Sequence, residues 1–483
     1  MKKVLFLSAL LTLLFTGFAL AGEITVGAGG DCATLTEALA QASDGDTLRL
    51  LSGKHLESEE NYPIVVEKSV AIVGGEGAVL AGVPFQSILE ITAENVRVEN
   101  VRFELLRYGI KNLADGLTVE NCDFALADET YRVSSCGLWL AGAYNCTVRD
   151  CDFTGCGMCV AGPPLSERSS AMPVLTGLFE VGEDPALFTS HTIQGNTVNG
   201  RPYYFIINQD GAVVPADAGG ALVACCEGVL CEGLDVSESS MGVQIVHSSD
   251  VILRNCVADR CGVFGIYLAY IDGGRLENIS CRQSNHAIDL RDVQSLVVTG
   301  CETVDSEQGI FLSWAFDTIV EKCTVTNCGF GYFAAVGEGN VLTDCVFTGN
   351  ETGVYLQNEA DALVWDNDIT GSGAAGVRVL KSPCHLLDNR IHDNWVGVLA
   401  AETAPMTMLG NALEGNVSTA LYMRQITRGV IAGNTFSGET PFLELDEAVS
   451  HTLVENNVFE GTMAQVVSNL GAPLDLSHNQ WAG

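Results

Sequence analysis

The chain repeats itself at a fixed interval. Segments centred on Cys256, Cys301, Cys323, Cys345, Asn367, Asn389, Asn411, Asn434 and Asn457 superpose as "LRNCVA", "VTGCET", "VEKCTV", "LTDCVF", "VWDNDI", "LLDNRI", "MLGNAL", "IAGNTF" and "VENNVF". From Cys301 the steps are 22, 22, 22, 22, 22, 23 and 23 residues. Continued back through Ile279, Leu234, Asn196, Cys151, Cys122, Val101 and Val79, and forward to Asn479, the register gives seventeen units. Each carries short β-branched strands of alternating polarity, an Asn-, Ser- or Gly-rich corner, and then a strand such as "GIYL", "GIFL" or "GVYL". A unit this short, without a helix, cannot bury its own apolar face, whereas stacked coils share one core. The expected fold is therefore all-β, a right-handed parallel β-helix occupying 61–483 as one rod of roughly 80 Å at about 4.8 Å per rung.

The open end of such a rod needs a cover. "TLTEALAQA" supplies one, with Thr34 and Glu37 placed for a capping box and Leu35, Ala38, Leu39 and Ala42 at helical spacing. Residues 22–60 are expected to form this N-terminal cap and first coil. Met1 to Ala21 reads as a secretory signal peptide: Lys2 and Lys3, an apolar run to Leu20, and small Ala19 and Ala21 before the cleavage point. No later apolar run approaches the roughly 18 residues of a membrane span. The rod is expected to be secreted, periplasmic or on the cell surface.

A net charge of −36 repels nucleic acid and other polyanions at long range. A polyuronate ligand would need a local basic patch or bridging Ca²⁺. The hydrophobic share of 47% still provides a core, so the chain is not a disordered acidic one.

The repeating position is filled by Cys, Asn, Val, Leu or Ile, an interchange typical of inward-facing sites. A second column five residues on (Cys156, Cys261, Ser284, Ser306, Cys328, Asn350, Ser372, Asn394, Asn416) marks a tight corner. Stacked Cβ atoms lie about 4.8 Å apart with parallel bond vectors, against roughly 3.8 Å and convergence in a disulfide. Cys301, Cys323 and Cys345 are read first as a buried thiol stack, with disulfides or metal binding as alternatives. "CGMC" and "CCEGVLC" have no histidines at ligand spacing beside them.

In each "GIxL" strand the middle residue should point outward, by the period of two. That column includes Lys111, Trp139, Gln244, Tyr267, Asp289, Phe311, Phe333, Tyr355, Arg378, Leu399, Tyr422 and Glu444. Tyr267, Phe311, Phe333, Tyr355 and Arg378 are the candidate ligand-binding residues, an exposed aromatic face on which sugar C–H surfaces would pack at rung spacing. The opposing reading is that aromatics simply favour strands and pair across rungs. Asp344, Asp366 and Asp388 form an acidic column, either solvated corner acids or a Ca²⁺ site. His286, Asp289 and Arg291 in "HAIDLRD" are the acid/base candidates; inverting β-helix glycosidases need carboxylates spaced to hold a water, and the Asp-Asp, Gly-His-Gly and Arg-Ile-Lys signatures of polygalacturonases and the Asp-Pro-(aromatic or His)-Asp of alginate epimerases are absent.

The rhythm fails between Cys151 and Leu234, with an irregular insertion at about 162–192. Asn196-Thr197-Val198-Asn199-Gly200-Arg201-Pro202-Tyr203-Tyr204, the later Gly211, and Ala218-Gly219 resemble the NosD-like β-helix family, relatives of the periplasmic accessory protein of nitrous oxide reductase maturation. The opening, "TLTEALAQASDGDTLRLLSG", is similar to that family and to carbohydrate-binding and sugar-hydrolase β-helix modules. The resemblance implies a pectin lyase-like fold and a periplasmic partner to an ABC-type transporter. With eight Met and eight His scattered along the chain, composition speaks against copper, and no cofactor is expected. Three functions are carried forward: non-catalytic glycan binding along the aromatic face, a NosD-like accessory protein, and a polysaccharide lyase, epimerase or hydrolase.

Overall fold

The computed structural model describes residues 21–55, 60–163, 181–446, 448–461, 465–468 and 474–482. The expected leader lies outside them, as does most of the insertion. The chain coils as a right-handed β-solenoid of about 20 turns with about 22 residues per turn. The cap forms as read: the helix Leu35–Gln41 is entered at Thr34, whose hydroxyl accepts the Glu37 amide, while Glu37 accepts the Ala33 amide. Leu35, Ala38 and Leu39 are buried under it. No helix among the described residues is long and apolar enough to cross a membrane.

The expected single rod is instead two stacks. In the first, a parallel sheet of seven strands runs from Glu23–Val26 to Thr192–Gln194. Its core is ordered by Phe103, Phe124 and Phe153, whose rings stack at 4.7 and 4.9 Å. Asn196 closes this stack, accepting the Cys151 amide and donating to Val148 O. Then Thr197–Val198 pairs antiparallel with Arg201–Ile207. Asn199 and Gly200 form the two-residue turn with φ of 51° and 73°, the left-handed pair that a tight hairpin requires. Leu234 therefore begins a separate column, stacked under Cys256. Val79 is one residue out of register as well: it pairs with Arg102, which leaves Ala78 inside.

The second stack meets the first side-on. Gly157 N donates to Ser240 Oγ at 2.7 Å, Gln244 Nε2 to Val160 O at 2.6 Å, and Ser134 N to Gly262 O at 2.6 Å. Arg260 pairs with Glu129 at 2.8 Å across the same seam.

The two sequence columns are hydrogen-bonded ladders. Each Asn side chain from Asn367 to Asn479 accepts the amide of the residue one turn below, and Nδ2 passes to the next Oδ1 at 2.8–3.0 Å. Cys345 takes the same place, its sulfur accepting the Cys323 amide at 3.3 Å. All eighteen cysteines are free thiols, and all but Cys225 are buried.

One corner carries a buried acid. Glu359 is 1% exposed, and its Oε2 accepts from Asn340 Nδ2 at 2.9 Å. A Cβ on Gly337 would lie 2.7 Å from Glu359 Oε1, so that glycine makes the space the carboxyl fills. Burial pushes Glu359 up to about 7, against the lowering pull of Asn340 and the Gly337 amide. A carboxyl whose folded value exceeds its unfolded one favours folding while protonated. Its contribution is complete below about pH 4.5 and is lost as pH rises through about 7. Glu359→Gln should therefore flatten the decline in unfolding free energy over that window, by about 2 kcal/mol at pH 8 relative to pH 5. Urea titrations of both proteins at the two pH values measure it.

Candidate functional site

The outward register of the C-terminal column is as read: Tyr267, Asp289, Phe311, Phe333, Tyr355 and Arg378 are successive partners in parallel strands. Its exposure is not. Tyr267 and Phe311 are 1% accessible, Phe333 0% and Tyr355 6%. Phe333 and Tyr355 stack at 4.6 Å against Phe330, and Arg378 caps Tyr355 at 4.7 Å. The seam with the first stack covers the start of the column at Gln244. The described end of the insertion lies against its edge, where the Gly182 carbonyl meets His247 Nε2 and Phe188 meets the His247 ring. Phe311, Phe333 and Tyr355 form a small apolar cluster of their own, Tyr267 joins the core of the first stack, and in this column only Arg378, at the open end, is exposed.

His286, Asp289 and Arg291 do converge. Asp289 receives Arg291 Nε at 2.6 Å and Nη2 at 3.0 Å, and pairs with His286 Nδ1 at 2.7 Å. The guanidinium lies 5.5–5.7 Å from the rings of Phe264, Tyr267 and Phe311. Burial alone would raise Asp289, but the Arg291 charge and the His286 bond outweigh it and hold the carboxyl below its ordinary value. Asp289 is 0% exposed and committed to both neighbours. Asp289 and Arg291 form a buried ion pair against the aromatic layer, and His286, partly exposed, is the one member of the trio that reaches the surface.

The acidic column stands at an exposed corner. Asp344, Asp366 and Asp388 are exposed, with φ of 53°, 53° and 52°. Asp and Asn tolerate the left-handed conformation that this corner demands, which accounts for the column. Among the described residues no three His, Cys, Asp or Glu side chains group as metal ligands.

An aromatic site does exist on the first stack. The strands Ser87–Ile91, Tyr108–Asn112 and Cys136–Ala141 place Glu90, Lys111 and Trp139 in one outward column. With Phe85, Arg107 and Tyr108 these line a cleft of about 340 Å³. Phe85 stands 72% exposed at its mouth with φ of 64°, a strained conformation for a bulky side chain. It is held by Arg107 Nη1, which donates to Phe85 O at 2.9 Å, and by an edge contact with Tyr131 at 5.8 Å. Arg107 lies 4.9 Å above Tyr108, and Tyr108 packs on Trp139 at 5.6 Å. Lys111 reaches Glu90 at 3.1 Å and lies 5.9 Å from Trp139. Two cations face one carboxylate here, on a chain of charge −36. The outward spacing identified Lys111 and Trp139, but Phe85 sits in an irregular corner that carries no period.

Coiled parallel strands stacked at about 22 residues per turn define a right-handed parallel β-helix protein. Three family models agree: "Periplasmic copper-binding protein (NosD)" matches 189–373, "Right handed beta helix region" matches 337–480, and "Protein of unknown function (DUF1565)" matches 30–275. The last spans just over half of the chain, and the chain belongs to that family. No curated protein matches it. Among solved structures, it is similar to the A-module of mannuronan C-5 epimerase AlgE4 from Azotobacter vinelandii at 15% identity, covering 87% of this chain and 94% of that one, with a TM-score of 0.34. The periplasmic alginate epimerase AlgG is 11% identical over 79% of this chain and 84% of its own, with a TM-score of 0.31. Tailspike protein 3 of bacteriophage CBA120 is 10% identical over 91% and 59%, with a TM-score of 0.27. The copper named in the first family's description is said of that family; among the described residues no three His, Cys, Asp or Glu side chains group so as to hold a metal ion.

Proposed function

We propose that this protein is an extracytoplasmic β-helix that binds an anionic glycan without transforming it, with the Phe85–Trp139 cleft as the primary site. The observation that carries the reading is the cleft itself, in which an exposed phenyl ring stands beside two cations on an otherwise acidic surface. Phe85 offers a flat apolar face to sugar C–H groups, and Arg107 and Lys111 offer charged donors to a carboxylate or sulfate. The paired carboxylates of glycoside hydrolysis have no counterpart in the lining, where Glu90 is the one acid and is tied to Lys111. The column of Phe311 and Phe333 has no part in this binding.

Calorimetric titration with oligouronates and with neutral cello-oligosaccharides tests the reading. The oligouronate should bind, and bind more weakly at high salt. Phe85→Ala and Arg107→Ala should each reduce its affinity at least about tenfold, in line with losing one aromatic or charge-assisted contact. An absence of binding by the unaltered protein, or full affinity in both variants, would overturn it.

A further inference from the structure

The Phe85 cleft continues beyond its own walls. Pro63 lines it and also lines a second hollow of about 310 Å³ beside the capping helix, with Leu39 and Ala40 on the helix side and Val65 and Glu67 on the side of the strand Ile64–Val66. That strand is the outermost of the five-stranded sheet that carries the cleft. Val65 pairs with Glu90 there, in the outward column that runs on through Lys111, Trp139 and Cys159. The two hollows are therefore consecutive stretches of one groove along the coil axis. Three rung steps of about 4.8 Å separate Val65 from Trp139, a run of about 14 Å, or roughly three sugar units at one per rung.

Exposure falls steadily along this groove. Val65 is 41% exposed, the side chains of Glu90 and Lys111 are 26% and 19% exposed, Trp139 is 5% and Cys159 2%. The positions two residues further along the same strands repeat the gradient: Glu67 and Thr92 are exposed, Leu113 is half-buried, and Ala141 and Ala161 are buried. The second stack shuts the inner end. Gln244 Nε2 donates to Val160 O, and Tyr203, Leu222 and Met241 share one apolar core with Trp139 and Cys159. The groove thus opens toward the cap and ends blind at Trp139. Its charge is one-sided as well. Arg107 and Lys111 line the inner stretch, whereas Lys68 in the outer hollow is committed to the carbonyls of Leu39, Ala40 and Ala42 at the helix end, with Glu67 exposed beside it. Resting on the reading of the cleft as an anionic-glycan site, we propose that the groove takes the end of such a chain and not its interior. The terminal sugar lies at the Trp139 end, where its carboxylate meets Arg107 and Lys111, and the next two units run outward past Phe85 over the apolar surface of Pro63 and Val65. A chain continuing in line past Trp139 would run into the second stack.

The test titrates the full chain with oligouronates from dimer to hexamer and with long polyuronates of two defined lengths, reading affinity and stoichiometry by calorimetry. Both polyuronates should bind one protein per chain, whatever their length. Affinity should rise from dimer to trimer by at least about threefold and level off beyond the tetramer. Val65→Asp, a surface substitution that places a second acid in the outer hollow, should bring the trimer down to the affinity of the dimer. Several proteins per polyuronate chain, in proportion to its length, would overturn end recognition while leaving the cleft as a glycan site. An affinity still climbing from tetramer to hexamer, or a trimer gain untouched by Val65→Asp, would overturn it in the same way. Failure of every uronate to bind would overturn the reading of the cleft and this inference together.

Discussion

Asp289→Ala should lower the free energy of unfolding by about 3–5 kcal/mol, the range for breaking a buried pair by deleting one partner. Arg291 is 3% exposed and holds Asp289 through two hydrogen bonds at 2.6 and 3.0 Å, so the alanine variant leaves a guanidinium among Phe264, Tyr267 and Phe311 without its carboxylate. His286 loses its partner in the same step. Denaturant unfolding at pH 7 measures the loss. Asp289→Asn keeps the shape and an acceptor oxygen and should cost less. A loss below about 1 kcal/mol for the alanine variant would show that the ion pair does not brace the layer, and would reopen Asp289 as a chemical group.

The second large effect is expected at the ladder. Asn389 accepts from Asn367 through both its amide N–H and Nδ2 at 3.1 and 3.0 Å, and donates to Val364 O and Asn411 Oδ1 at 2.9 Å each. Alanine there leaves several buried polar groups without partners, at about 1–3 kcal/mol per group before relaxation, and a total near 4 kcal/mol is expected. Because coils interact with their neighbours, the damage should be local. Hydrogen exchange at the Asn367 and Asn411 amides should accelerate more than at Asn479. Asn389→Cys, which copies the Cys345 rung, should retain part of the loss as a sulfur acceptor. Uniform exchange along the chain would argue against a ladder made of separable steps.

The cysteines show how far the repeat could be read unaided. Cys345 and Asn367 exchange places in the pattern because both present an acceptor to an amide one turn below, sulfur in one case and oxygen in the other. That equivalence was legible in the 22-residue spacing. Asn199-Gly200 carries its own turn signal, since Asn-Gly suits the two left-handed positions of a tight hairpin, and the rhythm fails around it. Asn196 and Leu234 are not neighbouring rungs, because the antiparallel pair Thr197–Val198 and Arg201–Ile207 stands between them. Phe85 could not have been found by spacing, since its position depends on Arg107 and Tyr131 meeting it from other segments.

The aromatic face marks the boundary between the two kinds of information. A strand alternates sides every residue, so sequence by itself determined that Tyr267, Phe311, Phe333 and Tyr355 leave the coil while Ile266 and Ile310 enter it. It likewise determined the coil length, the ladders and the cap, all set by neighbours within a turn. Only the tertiary structure decided which outward faces meet water. Gln244 is buried by Val160, 84 residues away, and Gly157 meets Ser240 across a separation of 83. The folded chain therefore closes the aromatic column that alternation points outward. It leaves open the cleft at Phe85, because what lies over a sheet is set by distant segments that leave no period in the strands they cover.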